Sequence, residues 1–211
     1  MLQRLTPALI NPVMYRMMII DFSSAANAIR KQLRKDYDMN KIEIQSLISN
    51  LGLVSHPEGG YYKSTYTSKE RISDNELEVD FEGQRKLFTS IYFLLTSDEV
   101  SHFHRLKSDE LWYFHAGSPL TVHVIHDNGE YEELKLGMNL ENGEAPQAFV
   151  PKNSIFGSSV MEKDTYSLVG CMVSPGFEFQ DFELFTQNDL LLKYPQHEEI
   201  IMKLAYKDLP N

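Results

Sequence analysis

Residues 90–120 read SIYFLLTSDEVSHFHRLKSDELWYFHAGSPL. This stretch decides the fold. Residues 87–95 (LFTSIYFLL) are dense in β-branched and aromatic side chains, and 111–115 repeat that composition after a short polar break, so both read as strands. Residues 120–125 and 131–136 follow at similar spacing, with Asp127, Asn128 and Gly129 between them to supply the positive-φ residues of a tight hairpin. Residues 147–150 and 166–173 continue the series, and Asn142-Gly143 offers a further turn. Many short strands punctuated in this way predict a sandwich or barrel of mainly all-β class. After Ser174-Pro175-Gly176 the period changes, and 190–192 and 198–204 read as helices that cap the sheet.

Composition narrows the function. The chain has 211 residues, 20 Lys and Arg against 30 Asp and Glu, and a net charge of −10. A hydrophobic fraction of 42% with 11% aromatics supports a packed core. The acidity argues against nucleic acid as a partner, because no basic stripe is present to neutralise phosphates. The single cysteine, Cys171, allows no internal disulfide and fits a reducing, cytoplasmic compartment. It lies in an apolar strand and reads as a small buried hydrophobe.

Charge is unevenly spread: residues 1–38 carry +3 and residues 39–211 carry −13. The apolar stretch 13–20 is interrupted by Arg16 and falls short of the roughly 20 residues that span a bilayer, so no membrane segment is expected. Nor does it have the order of a secretory signal. Two readings stand for 1–38, a basic targeting extension or an upstream stretch outside the functional protein. Met39 favours the second, since it precedes an apparent helix start with Asn40 as N-cap and Glu43 in capping-box position. Ile44, Leu47, Ile48 and Leu51 give that helix its apolar face and Gly52 ends it. The expected division is therefore an extension, 1–38, and a single domain, 39–211.

The densest polar cluster is Ser101-His102-Phe103-His104-Arg105, followed by Asp109 and Glu110. Side chains two apart on a strand share a face, so His102 and His104 are expected to point together. With Glu110 arriving from the next strand they form a candidate ligand set for a divalent transition metal, Zn, Fe, Mn or Ni. Arg105 should face away and pair with Asp109 or a second subunit. Without metal, His104 can do proton chemistry with Glu58 or Glu110 as its carboxylate partner and Tyr113 or Tyr62 as acid or donor. Trp112, Phe114 and Phe156 are candidate walls for a sugar or ring. Glu58-Gly59-Gly60 is either a turn or a pocket rim; no phosphate loop or dinucleotide fingerprint accompanies it. Glu132, Glu133, Glu141 and Glu144 read as a solvated face.

His102, His104, Glu110 and Gly117 resemble the first motif of the cupin superfamily, with a lengthened loop before the glutamate. Residues 151–156, PKNSIF, are similar to the second motif with two departures. Asn153 replaces a glycine, tolerable because both accept positive φ, and Phe156 replaces a histidine ligand. A closer resemblance runs through HPEGGYY (56–62), residues 90–120, LVGCMVSPGFEFQDFEL (168–184) and Tyr194-Pro195. These segments look like a cupin family catalogued as a domain of unknown function. The resemblance implies a jelly-roll β-barrel similar to RmlC-type deoxysugar epimerases, with an N-terminal helix and C-terminal helices, assembled as a homodimer. Members of that family resemble one another most at positions matching Glu58, Ser101, His104, Arg105, Asp109, Glu110, Trp112, Gln147 and Pro151. His102 is often another residue there, Ile155 stands where tryptophan is common, and Tyr113 and His115 appear in an order that is often reversed.

Three functions remain open. The first is an acid–base isomerase or epimerase acting on a small polar molecule such as a sugar derivative, with His104, Glu110 and Tyr113 catalytic and Glu58, Tyr62, His102, Trp112, Gln147 and Phe156 around the ligand. The second is a metal-dependent enzyme using His102, His104 and Glu110. The third is a binding module without chemistry.

Overall fold

The computed structural model describes residues 12–73, 76–77 and 81–210, with side chains from Ala26 onward except at 33 and 36. The first eleven residues of the expected extension lie outside the described residues. The chain divides into two units, 1–42 and 43–211. Helix α1 (Pro12–Leu51) is continuous. Asn40 is therefore an interior helical residue and not an N-cap, which corrects the expected helix start. No Gly or Pro lies between 36 and 43, and an interior Asn costs less than about 1 kcal/mol, too little to stop a helix already propagating. The other end is as expected. The Gly52 N–H donates to the Ser49 carbonyl (3.2 Å) and the Leu53 N–H to the Ile48 carbonyl (2.9 Å), the paired bonds of a Schellman close. No helix among the described residues is long and apolar enough to cross a membrane.

The second unit is built on strands β1 (Val54–Ser55), β2 (Tyr61–Thr67), β3 (Arg71–Ile72), β4 (Arg85–Lys86), β5 (Thr89–Thr96), β6 (Val100–Leu106), β7 (Asp109–Gly117), β8 (Leu120–Ile125), β9 (Tyr131–Leu136), β10 (Gln147–Val150), β11 (Ile155–Val160), β12 (Tyr166–Ser174) and β13 (Phe182–Leu184). Helices α2 (Gln187–Lys193) and α3 (Glu198–Leu204) follow. One sheet has the order β1-β2-β5-β12-β7-β10, a second β13-β6-β11-β8-β9, and β3 and β4 pair by themselves. The named strands pair antiparallel among the described residues, and sequence-distant neighbours such as β5 with β12 make this a jelly roll. Of the two expected turns, Gly129 and Gly143 take positive φ, whereas Asp127 and Asn128 do not. Asn153 does adopt positive φ (66°).

Three apolar layers hold the unit together. Phe93, Trp112, Val122, Val124, Phe156 and Val169 pack between the sheets. Phe103, Ile125 and Ile155 on the back of the second sheet are covered by Leu190, Ile201 and Leu204 of the terminal helices. Ile44, Leu47, Ile48 and Leu51 of α1 cover Leu94, Tyr166 and Leu168 on the back of the first. Full burial of one such side chain stabilises by about 1.5–3 kcal/mol.

One irregularity matters for the site. On β6, His104 opposes Phe156 of β11 and Ser101 opposes Ser158, so His102 and Phe103 together face Gly157 alone. This bulge re-phases the strand. Ser101 and His104 now share the inner face, Phe103 joins the layer under the helices, and His102 is turned aside.

Candidate active site

Between the two sheets lies a cavity of about 260 Å³. The inward residues of β5, β7 and β12, Phe93, Trp112 and Val173 among them, form its walls, and Phe177, Phe179 and Phe182 close it from the segment after β12. That segment is tied down from outside the cavity by a buried bidentate pair, Arg85 Nε to Asp181 Oδ2 (2.6 Å) and Nη2 to Oδ1 (3.0 Å). Three further bonds from Arg85 Nη1 go to the carbonyls of Glu82, Gly83 and Gln84.

Glu58 is the hub of the polar side. It is buried, its Oε1 accepts from Ser101 Oγ (2.9 Å), and its Oε2 lies 3.3 Å from both His56 Nδ1 and His104 Nε2. Gly59 makes this possible: at φ 108° an added Cβ would stand 2.2 Å from the Val100 carbonyl oxygen. The Glu58 carbonyl in turn accepts from the His102 backbone N–H (2.7 Å), which sews the loop onto β6. Burial pushes the Glu58 carboxyl up, but the His104 and His56 rings and the Ser101 hydroxyl outweigh it and hold the group at about 2. His104 goes the other way: burial lowers it below the usual imidazole value, against the pull of Glu58. Its Nδ1 lies 2.8 Å from the His102 carbonyl oxygen, which requires a proton on Nδ1. Nε2 of the neutral ring is then the atom free to take a proton, with Glu58 placed to stabilise the result.

Glu110 has the opposite character. Buried, and beside the negative Glu58, it is pushed up to about 8, although Trp112 Nε1–H donates to its Oε2 (2.9 Å). At neutral pH Glu58 is therefore held ionised and Glu110 protonated, while burial favours the unprotonated form of His104. Carboxyls driven apart in this way can divide acid and base roles between them. Cys171 also lines the cavity, and burial drives its thiol well up, so it stays protonated.

Of the residues expected from sequence, Glu58, Tyr62, His104, Glu110 and Trp112 line the cavity together. Phe156 sits behind it, buried, with its ring centroid 4.1 Å from that of His104. Phe114 packs at the edge of the core without lining the cavity. Tyr113 and Gln147 face each other across β7 and β10 on the outer side of the first sheet, because Trp112 points inward and alternation turns its neighbour out. His102 is corrected likewise: the bulge stacks it on Tyr206 (ring centroids 3.6 Å apart), with Nδ1 2.8 Å from the Glu58 carbonyl oxygen. Arg105 pairs with Glu183 across β13, while Asp109 accepts the Lys152 N–H (2.8 Å). Glu144 is no solvated acid; it is buried and accepts from the Asn139 N–H (2.7 Å). Sequence reasoning missed His56, Phe177, Phe179 and Phe182. His56 stands two residues before Glu58, and the alternating Phe177-Glu178-Phe179 was the available signal for a wall.

The metal ligand set does not fit this arrangement. His102 is turned away from His104, Phe156 occupies the fourth motif position, and His56 and His104 both aim at one carboxylate oxygen. Among the described residues no three His, Cys, Asp or Glu side chains are grouped to hold an ion.

The family model described as "Cupin superfamily (DUF985)" matches residues 45–185. The chain belongs to this cupin family. Its similarity to other members spans most of the strand-bearing unit. Protein SO0799 from Shewanella oneidensis is 50% identical, with a TM-score of 0.70, covering 77% of this chain and 97% of its own. A hypothetical protein from Leishmania major is 44% identical, also at TM-score 0.70, covering 77% and 98%. The uncharacterized protein YML079W of Saccharomyces cerevisiae is 30% identical over 176 residues, 77% of this cupin and 85% of its own length.

Proposed function

We propose that this cupin is an acid–base isomerase or epimerase acting on a small molecule held in the barrel pocket. One observation carries the reading: Glu58, Glu110 and His104 converge in an aromatic-walled cavity, where the imidazoles hold the first carboxyl low and burial drives the second up. In this mechanism Glu110 donates to a substrate carbonyl oxygen while His104 Nε2 removes a proton from the adjacent carbon. The electron pair of that C–H bond moves toward the oxygen, giving an enol, and the imidazolium formed is stabilised by Glu58. Return of a proton to the same carbon, with the enol O–H proton going back to Glu110, restores the carbonyl and accounts for exchange or epimerisation. Where that carbon bears a hydroxyl, the imidazolium instead protonates the former carbonyl carbon while Glu110 takes the hydroxyl proton, which moves the carbonyl and restores both groups. The likeness to RmlC-type epimerases belongs to this reading and supplies only an analogy of fold.

The test is exchange of carbon-bound hydrogen with D2O, followed by NMR over a panel of carbonyl compounds. Wild type is expected to exchange one of them, with a bell-shaped pH profile bounded below by His104 and above near 8 by Glu110. H104A is expected to abolish the exchange. Unchanged rates in both H104A and E110Q defeat the mechanism.

The reading includes a cytoplasmic homodimer. Tyr92, Tyr113, Gln147 and Phe149 share the outer face of the first sheet, where Phe149 is 50% exposed and β10 is an open edge. A second copy would cover both. Sedimentation at micromolar concentration is expected to give a dimer that F149D dissociates; a wild-type monomer refutes it.

A further inference from the structure

The chemistry of the cavity wall points to the class of ligand. We propose that this pocket admits an uncharged, single-ring compound presenting a carbonyl oxygen, and turns away phosphorylated and carboxylated molecules of the same size. The choice of a carbonyl rests on the acid–base reading above; the choice of charge does not.

Three carboxyl-bearing residues, Glu58, Glu110 and Glu178, line the cavity, and no Lys or Arg is among its described lining residues. The basic residues at hand are committed elsewhere. Arg85 is bonded to Asp181, Lys107 lies 3.9 Å from Asp181, and Arg105 pairs with Glu183. An anion entering the pocket would lose its water and meet a carboxylate with no fixed counter-charge, the costly form of burial. The site shows this preference on its own side chain, since Glu110 is kept from ionising there.

Shape and hydrogen bonding select further. Phe93 meets Trp112 at 6.0 Å and Phe177 meets Phe179 at 5.1 Å, both edge to face, so the walls are flat, apolar and fixed. The volume of about 260 Å³ lies below the roughly 300–1,000 Å³ of sites for drug-sized ligands, which limits the occupant to about one ring. Trp112 Nε1–H occupies Oε2 of Glu110, so the acid's proton sits on Oε1 and seeks an acceptor. A carbonyl oxygen satisfies it.

The experiment uses the full chain at pH 7 and three matched probes, acetophenone, benzoate and phenyl phosphate, titrated by calorimetry. Acetophenone is expected to bind at least about tenfold more tightly than each charged probe. Its affinity is expected to fall as pH rises through 8 in the wild type and to stay level in E110Q, whose amide remains a donor. Equal or tighter binding of any charged probe overturns the proposal, as does absence of acetophenone binding up to its solubility. The two readings fail separately. Binding of acetophenone without deuteration of its methyl group counts against the isomerase and leaves the ligand class intact; preference for a charged probe does the reverse.

Discussion

Replacing Glu110 with Gln probes the unusual protonation of the pocket without changing its shape. Gln keeps an acceptor for Trp112 Nε1–H and a donor toward the cavity, but it cannot ionise. In the wild type the Glu110 carboxyl titrates at about 8 in the fold and near its ordinary 4.5 when unfolded. Between those values the unfolded chain releases a proton that the native chain keeps. A carboxyl raised in this way contributes stability below 4.5 and loses it progressively as pH climbs to 8. The interval corresponds to on the order of 5 kcal/mol, at about 1.4 kcal/mol per unit. Chemical denaturation at closely spaced pH values, run in parallel on wild type and E110Q, isolates the effect because the other groups cancel in the difference. The variant is expected to match the wild type near pH 4 and to exceed it by several kcal/mol at pH 8. Parallel curves across that range would show that Glu110 is ionised in the native state, and the proposed proton donor would be lost with it.

Three further substitutions test the supports of the site. R85M removes the bidentate partner of buried Asp181, leaving it only Lys107 at 3.9 Å, and is expected to cost about 3–5 kcal/mol in urea denaturation; a loss below about 1 kcal/mol would mean the pair is not holding the cavity roof. G59A places a Cβ against the Val100 carbonyl and forces a strained φ, for an expected loss of about 1–3 kcal/mol together with weaker ligand binding as Glu58 shifts. H102A removes a stacked ring outside the pocket, so it is expected to cost about 1 kcal/mol of stability and leave hydrogen exchange near wild type. Loss of exchange equal to that of H104A would return His102 to the site.

What the sequence shows about this fold depends on whether neighbouring strands respect period two. β8, β9, β10 and α3 span their expected residues, because side-chain pattern and packing agree there. β11 was not legible. Ile155-Phe156-Gly157-Ser158-Ser159-Val160 is half small and polar, yet it is central in the second sheet and buried for five of its six residues. Gly157 is required by a contact no local pattern announces, since a Cβ there would stand 2.6 Å from the Ser101 carbonyl oxygen. The start of α1 differs from its signal for the converse reason. Asn40 and Glu43 form a good start signal, but such a signal acts only where the chain is not already helical.

The same local event explains what was and was not legible in the site. Glu58, His104, Glu110 and Trp112 were recognisable as residue types, and their meeting follows from inward positions on β6 and β7 with a loop folded across them. The pairing of His102 with His104 was inferred from alternation, and one extra residue in β6 cancels alternation. That bulge does more than displace a ring. It brings Ser101 and His104 to one side of the strand, three residues apart, at the spacing that lets both reach the two oxygens of Glu58. The site thus exchanges a histidine pair suited to a metal ion for a carboxylate held between a hydroxyl and imidazoles. Glu58 ionised at about 2 then places its negative charge next to Glu110 and helps keep that second carboxyl protonated. A single inserted residue in one strand is the step from which the acid–base pair follows.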